Sequence, residues 1–145
     1  MALVDDARLN GITGQIIHAA IEVHRQLGPG LLESVYRSCL AYELRSAGHA
    51  VETALRIPIR YKRVVLDCGF EIDLLVNMTV IVEVKAHSAI APVHKAQLLT
   101  YLKLTGHRVG LLLNFNVPLM KDGIHRVLNT RDERKSPEGG SNASA

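Results

Sequence analysis

At 145 residues, 48% apolar and 21% charged, the chain has the make-up of one soluble globular domain with a hydrophobic core of its own. A formal net charge of +3 and a pI near 9.0 permit a polyanionic partner without demanding one. No apolar run reaches the roughly 18 residues needed to span a bilayer, so a membrane-spanning helix is not expected.

Ile12 to Gln26 has Ile12, Ile16, Ala19, Ala20 and Val23 at helical spacing, which predicts an amphipathic helix ending before Gly28-Pro29-Gly30. A second helix is expected from Leu31 to about Ala47, with Leu32, Val35, Cys39, Leu40 and Leu44 on one face and Gly48 as its stop. The period then changes. Leu55, Ile57, Ile59 and Tyr61 alternate with Arg56, Pro58 and Arg60, as in a strand, and Pro58 confines it to an edge or an irregularity. Lys62-Arg63 reads as a turn, and Val64-Val65-Leu66 as a short strand or the start of the next one. A hairpin follows, from about Gly69 to Val76 and from Val80 to Lys85, closed by Asn77-Met78-Thr79. Pro92 opens a third helix, about Val93 to Thr105, ended by Gly106. His107 to Phe115 contains the apolar run of a strand buried on both faces. Lys121-Asp122-Gly123 marks a turn, and Ile124 to Leu128 a final edge strand. Residues 1–129 thus form a single domain, and residues 130–145 a polar, disordered tail that carries part of the positive charge at Arg131, Arg134 and Lys135. The start of the chain lacks a basic, signal-like segment, and Cys39 and Cys68 lack close spacing, so a cytoplasmic protein with reduced thiols is expected.

The residues with most chemical promise lie on the hairpin. Glu83 and Lys85 share one face of their strand, because successive side chains point to opposite sides. With a three-residue loop Asp73 falls opposite Glu83, and with a two-residue loop it lies diagonally. Carboxylates about 5 Å apart repel by roughly 3 kcal/mol at an effective dielectric near 20, which a cation would relieve. Hard oxygen ligands suit magnesium or manganese. In isolation Glu-x-Lys on a hairpin is a surface ion pair, worth about 0.2–1 kcal/mol. The apolar flanks Val80-Ile81-Val82 and Leu74-Leu75-Val76 argue instead for a central hairpin, where unpaired charge is costly. Glu33 begins the second helix, where the macrodipole favours a carboxylate, and Arg37 one turn later is its simplest partner. His94, Gln97 and Tyr101 follow one another at one-turn intervals on the third helix. The histidines and cysteines lack zinc spacing, Gly28-Pro29-Gly30 lacks the ending of a phosphate-binding loop, and neither Ser34 nor Ser38 sits in a nucleophile elbow.

Gly30-Leu31-Leu32-Glu33-Ser34-Val35-Tyr36 resembles the Gly-x-x-Glu-x-x-Tyr signature of the GxxExxY proteins, a branch of the PD-(D/E)XK nuclease superfamily. Similarity extends through the segment from Val23 to Gly30, Asp73-Leu74-Leu75-Val76, Ile81 to Lys85, Gln97 to Leu102, and Gly110 to Phe115, so about residues 10–129 are covered. The resemblance implies an α/β, restriction-endonuclease-like core (αβββαβ) with a mixed central sheet flanked by helices, preceded here by an extra N-terminal helix. It implies that Asp73 and Glu83 are metal-binding acids joined by Glu33, that Lys85 is the catalytic lysine, and that Gln97 is the polar residue contributed by the following helix. Ile72 stands where the superfamily's name has proline, a position that supplies no chemistry.

The expected activity is magnesium-dependent hydrolysis of nucleic-acid phosphodiesters by metal-activated water, with manganese able to substitute. Tyr36, His94, Lys95, Tyr101, Lys62 and Arg63 are weaker candidates for contacting the substrate. The alternative is a nucleic-acid-binding or assembly module that keeps the site without cleaving. A homodimer is the expected assembly, since so small a domain has little surface for specificity.

Overall fold

The structure, a computed structural model, describes residues 6–130. Expectations for the first five residues and for the tail beyond Thr130 lie outside the described residues. Helix α1 (Asp6–Leu27) starts a turn and a half earlier than the periodicity suggests, because Leu9 extends the buried stripe of Ile12, Ile16, Ala19, Ala20 and Val23. Helix α2 (Glu33–Ser46) buries Tyr36, Leu40, Ala41 and Leu44. This corrects the expected face: Leu32 precedes the helix and is 74% exposed, and Val35 is exposed as well. Tyr36 takes the place expected for them and turns the stripe by one residue.

Strands β1 (Val51–Tyr61), β2 (Val64–Val76) and β3 (Val80–Lys85) form consecutive antiparallel hairpins. Val64-Val65-Leu66 is continuous with β2 rather than a separate strand. Helix α3 (Pro92–Thr105) then crosses over to β4 (Val109–Asn114), which pairs parallel with β3. A single 3-10 turn at Met120–Gly123 leads to β5 (Ile124–Leu128). The result is a mixed five-stranded sheet in chain order, with β1 and β5 at its edges. The helix–three strands–helix–strand core with an extra N-terminal helix is the α/β fold expected from the resemblance. Helices α1 and α2 cover one face, packing on Leu74, Val76, Val82, Val84, Leu111 and Leu113. Helix α3 covers the other, packing on Ile72, Leu75, Ile81 and Leu112. β4 is buried on both faces, as its apolar run requires.

Two irregularities shape the sheet. Ile72 and Leu74 lie on opposite faces although alternation would place them together, so β2 switches faces at Asp73. Across from Asp73, Ala54 takes a left-handed φ of 52° and the β1–β2 ladder skips the pair. On the other side, the β2–β3 ladder ends at Leu74–Val82. Beyond this kink β1 and β2 continue as a two-stranded arm. A register shift at Pro58, between Ile57 and Ile59, bends the arm. Gly69 makes the bend possible, since a Cβ there would lie 2.7 Å from Ile59 N and 2.8 Å from Ile57 O.

Candidate active site

The loop after β2 sets the register that the site depends on. Asn77 and Met78 have φ of 52° and 56°, and Thr79 N–H donates to the Val76 carbonyl at 3.0 Å. With Val76 opposite Val80, all three residues form the loop and the ladder runs to Leu74 opposite Val82, so one further step brings Asp73 opposite Glu83. There the side chains replace the ladder. Asp73 N–H donates to Glu83 Oε1 at 3.2 Å, and Val84 N–H donates to Asp73 Oδ2 at 2.8 Å. The face switch in β2 therefore opens a notch between two strands, with a carboxylate on each side of it.

Glu83 is only 6% exposed. Burial, and next the Asp73 charge, push its carboxyl up to about 8, against the opposing pull of the Asp73 N–H and of Lys85. Lys85, half-buried at the end of β3, projects on the same side of the strand as Glu83. Among the described residues, no carboxylate lies within ion-pairing distance of its ammonium. Tyr101 on α3 adjoins the same charges: burial, then Glu83 and Asp73, raise its phenol pKa. Its ring stacks on Phe70 of β2 at 4.2 Å. Gln97, one turn earlier on the same side of α3, is exposed.

The start of α2 forms the opposite wall. Tyr36 is fully buried, its ring stacked on Phe115 at 4.6 Å. Its hydroxyl donates to the Gly28 carbonyl at 2.6 Å and accepts from Leu31 N–H at 3.1 Å. This ties down a loop in which Gly28 and Gly30 have φ of 66° and 102°. Tyr36 is thus a structural residue, which corrects its expected part in contacting nucleic acid. The loop delivers Glu33, whose Oε2 accepts from Ala86 N–H at 3.1 Å and lies 3.3 Å from His87 Nε2. Arg37 does not pair with Glu33, as its spacing suggests, but reaches Asp73, with Nη1 3.3 Å from Oδ1. Leu32, Glu33, Ser34, Arg37, Asp73 and Ala86 line a cleft of about 520 Å³. Glu33 therefore shares the cleft with Asp73 without joining the carboxylate pair. Among the described residues, no three histidine, cysteine, aspartate or glutamate side chains gather into a ready-made cation cage.

The remaining candidates separate. His94 caps its own helix, its Nδ1 accepting from Ala91 N–H at 3.0 Å, and its ring lies 4.8 Å from that of His87. Lys95 makes its charge felt at β5, where, second to burial, it lowers the pKa of His125. Lys62 and Arg63 occupy the turn at the far end of the β1–β2 arm. Sequence reasoning gave no role to His87 or Asn114, and gave Arg37 only that of a partner to Glu33. Asn114 is buried, accepts from His87 N–H at 3.0 Å and donates to the His87 carbonyl at 2.9 Å, which fixes the chain just after Lys85. A polar residue closing a fully apolar buried strand was a signal of that clamp.

The chemistry of the donors matches a hard divalent cation. Asp73 and Glu33 line the cleft, and Glu83, buried at a cost in its ionised form, lies behind Asp73 in the notch. No soft sulfur ligand is among the lining residues. A family model described as the PD-(D/E)XK nuclease superfamily matches residues 10–127. No curated protein and no solved structure gives a match.

Proposed function

Because the chain belongs to the PD-(D/E)XK nuclease superfamily, we propose that it hydrolyses phosphodiester bonds of nucleic acid with a divalent cation, magnesium or manganese, held by Asp73 and Glu83. The observation that carries this reading is the Asp73–Glu83 notch, with Lys85 beside it and unpaired among the described residues. The Gly-x-x-Glu-x-x-Tyr segment supports assignment to the GxxExxY branch, since its three named residues build the wall facing the notch.

Bound there, such a cation would polarise a phosphoryl oxygen and lower the pKa of a coordinated water. The chain's own groups do the rest. Asp73 and Glu83 supply two hard oxygens, and magnesium needs no more than one or two carboxylates because it keeps several waters. Glu33, across the cleft, orders His87 and would offer its carboxylate to water bound in the cleft. Lys85 places a positive charge where the pentavalent phosphorus centre gathers negative charge. Gln97 orients the attacking water, and Tyr101 closes the α3 side. Arg37, held at the cleft wall beside Asp73, is placed to bind two non-bridging oxygens of a substrate phosphate with two parallel hydrogen bonds.

The test is cleavage of single-stranded, duplex and branched DNA and RNA with magnesium or manganese. Glu83→Ala and Lys85→Ala should each lower the rate by at least a hundredfold, and activity equal to the unaltered protein in either variant removes the assignment. One observation favours a second reading, a module that binds nucleic acid without cutting it: both oxygens of Asp73 are already satisfied, one by Arg37 and one by Val84 N–H. Binding without turnover in either metal supports that reading.

A further inference from the structure

Past the kink at Asp73, β1 and β2 pair in the sheet only with each other, and α3 packs on them only near the base, at Leu55, Ile57, Phe70 and Ile72. The β2–β3 ladder covers only Leu74 to Val76, and β1 is an edge strand. Exposure follows from this. Tyr61, Val64 and Leu66 are 61%, 54% and 50% exposed, and Arg60, Lys62, Arg63 and Val65 are exposed as well. Register sorts the ribbon into two faces. Ile57, Ile59 and Tyr61 stand opposite Phe70, Leu66 and Val64 on an apolar face, and Arg60 stands opposite Val65 on the other. The charge is basic toward the tip, where Arg60, Lys62 and Arg63 occur with no acid from Ile57 to Leu66, while Asp67 follows on β2 and Arg56 nearer the base faces Glu71 across the ladder. The base of the arm is held firmly where Phe70 stacks on Tyr101, beside the carboxylates.

We propose that this arm, resting on the nuclease reading above, is a groove-binding ribbon that anchors B-form duplex DNA beside the Asp73–Glu83 notch. Charge complementarity selects a polyanion. A two-stranded ribbon fits the major groove of B-form DNA, about 12 Å wide, whereas the major groove of A-form RNA is too narrow for side chains to read. The exposed apolar face can meet thymine methyl groups or wedge between base steps, while the cations meet phosphates. Single strands are disfavoured for a different reason. They are held by a run of aromatic platforms, whereas the arm exposes a single ring, Tyr61, its other aromatic, Phe70, being stacked on Tyr101.

The experiment measures the affinity of the whole chain for a fluorescent 24-base-pair DNA duplex against salt, without divalent cations. Three proteins are compared: the unaltered chain, the triple variant Arg60→Ala, Lys62→Ala, Arg63→Ala, and a control with Arg8, Lys103 and Lys121 changed to alanine. The arm variant should bind at least tenfold more weakly, and its salt slope should fall by roughly 3, one for each phosphate no longer neutralised. Its thermal midpoint and manganese-induced shift should stay as in the unaltered chain, and the control should keep its affinity. Equal losses in control and arm variants, or equal affinity for duplex RNA, overturn the proposal. A dimer that Val64→Ser with Leu66→Ser dissociates, with duplex affinity indifferent to the arm charges, also overturns it and makes a second copy the occupant. Arm-dependent binding without cleavage in manganese sustains the arm and removes the nuclease reading. Cleavage with arm-independent affinity does the reverse.

Discussion

Glu83 is the residue whose ionisation the fold resists most clearly. Its carboxyl is pushed up to about 8, chiefly by burial and then by Asp73, so the folded chain holds a proton that the unfolded chain releases near the ordinary value of 4.5. Below pH 4.5 both states are protonated and no penalty exists. As pH rises toward 8 unfolding releases a proton, and metal-free stability falls by at most about 1.4 kcal/mol per pH unit. Thermal melts of the metal-free protein from pH 5 to 8 should show that decline, and Glu83→Gln should flatten it. Manganese should restore stability most at the alkaline end, by about 2.7 kcal/mol when it is present at a hundred times its Kd. A decline as steep in Glu83→Gln as in the unaltered chain would assign the effect to another group. The candidacy of Glu83 was legible from its strand position and apolar flanks. The Arg37–Asp73 bridge was not, because helical spacing shows which residues of α2 share a face but not which strand lies across from it.

Elements defined by local pattern could be read closely, and those defined by tertiary packing could not. Alternation and a turn of defined length were enough to predict the β2–β3 hairpin and to leave Asp73 opposite Glu83 as one of two registers. The switch of β2 between faces escaped, since Ile72-Asp73-Leu74-Leu75 has apolar residues suited to either side, and packing alone assigns Ile72 to α3 and Leu74 to α2. Helix α2 shows the same limit: Tyr36 reads as a surface aromatic near a glutamate, yet it is the bolt that holds the preceding loop. Tyr36→Phe keeps the stack on Phe115 and strands the Gly28 carbonyl and Leu31 N–H, so unfolding free energy should drop by about 1–3 kcal/mol. If the loop positions Glu33 as proposed, cleavage should fall more than stability explains when both are measured well below the melting temperature. A loss of stability with full activity would confine Tyr36 to the core and detach Glu33 from the reaction.

At the scale of the whole molecule, a net charge of +3 is too small to hold a nucleic acid by itself, so the placement of charge matters more than its sum. The basic residues of the arm were visible in the sequence as a turn, but their distance from the acids depends on β1 and β2 running on past the sheet. From Val64 to Asp73 along β2 is nine residues, which at about 3.3 Å each puts the tip up to roughly 30 Å from the notch, less whatever the bend at Pro58 removes. Duplex DNA rises about 3.4 Å per base pair, so a substrate must extend about nine base pairs beyond the scissile bond before the tip can engage it. Cleavage efficiency should therefore climb as one flank of a duplex is lengthened from about three to nine base pairs and level off beyond that. The other flank should show no such threshold. Changing Arg60, Lys62 and Arg63 to alanine should erase the climb while leaving the short duplexes cut at their original low rate. A climb that survives in this variant would mean that the extra base pairs are held by some other surface, and the arm would then have no part in recognition.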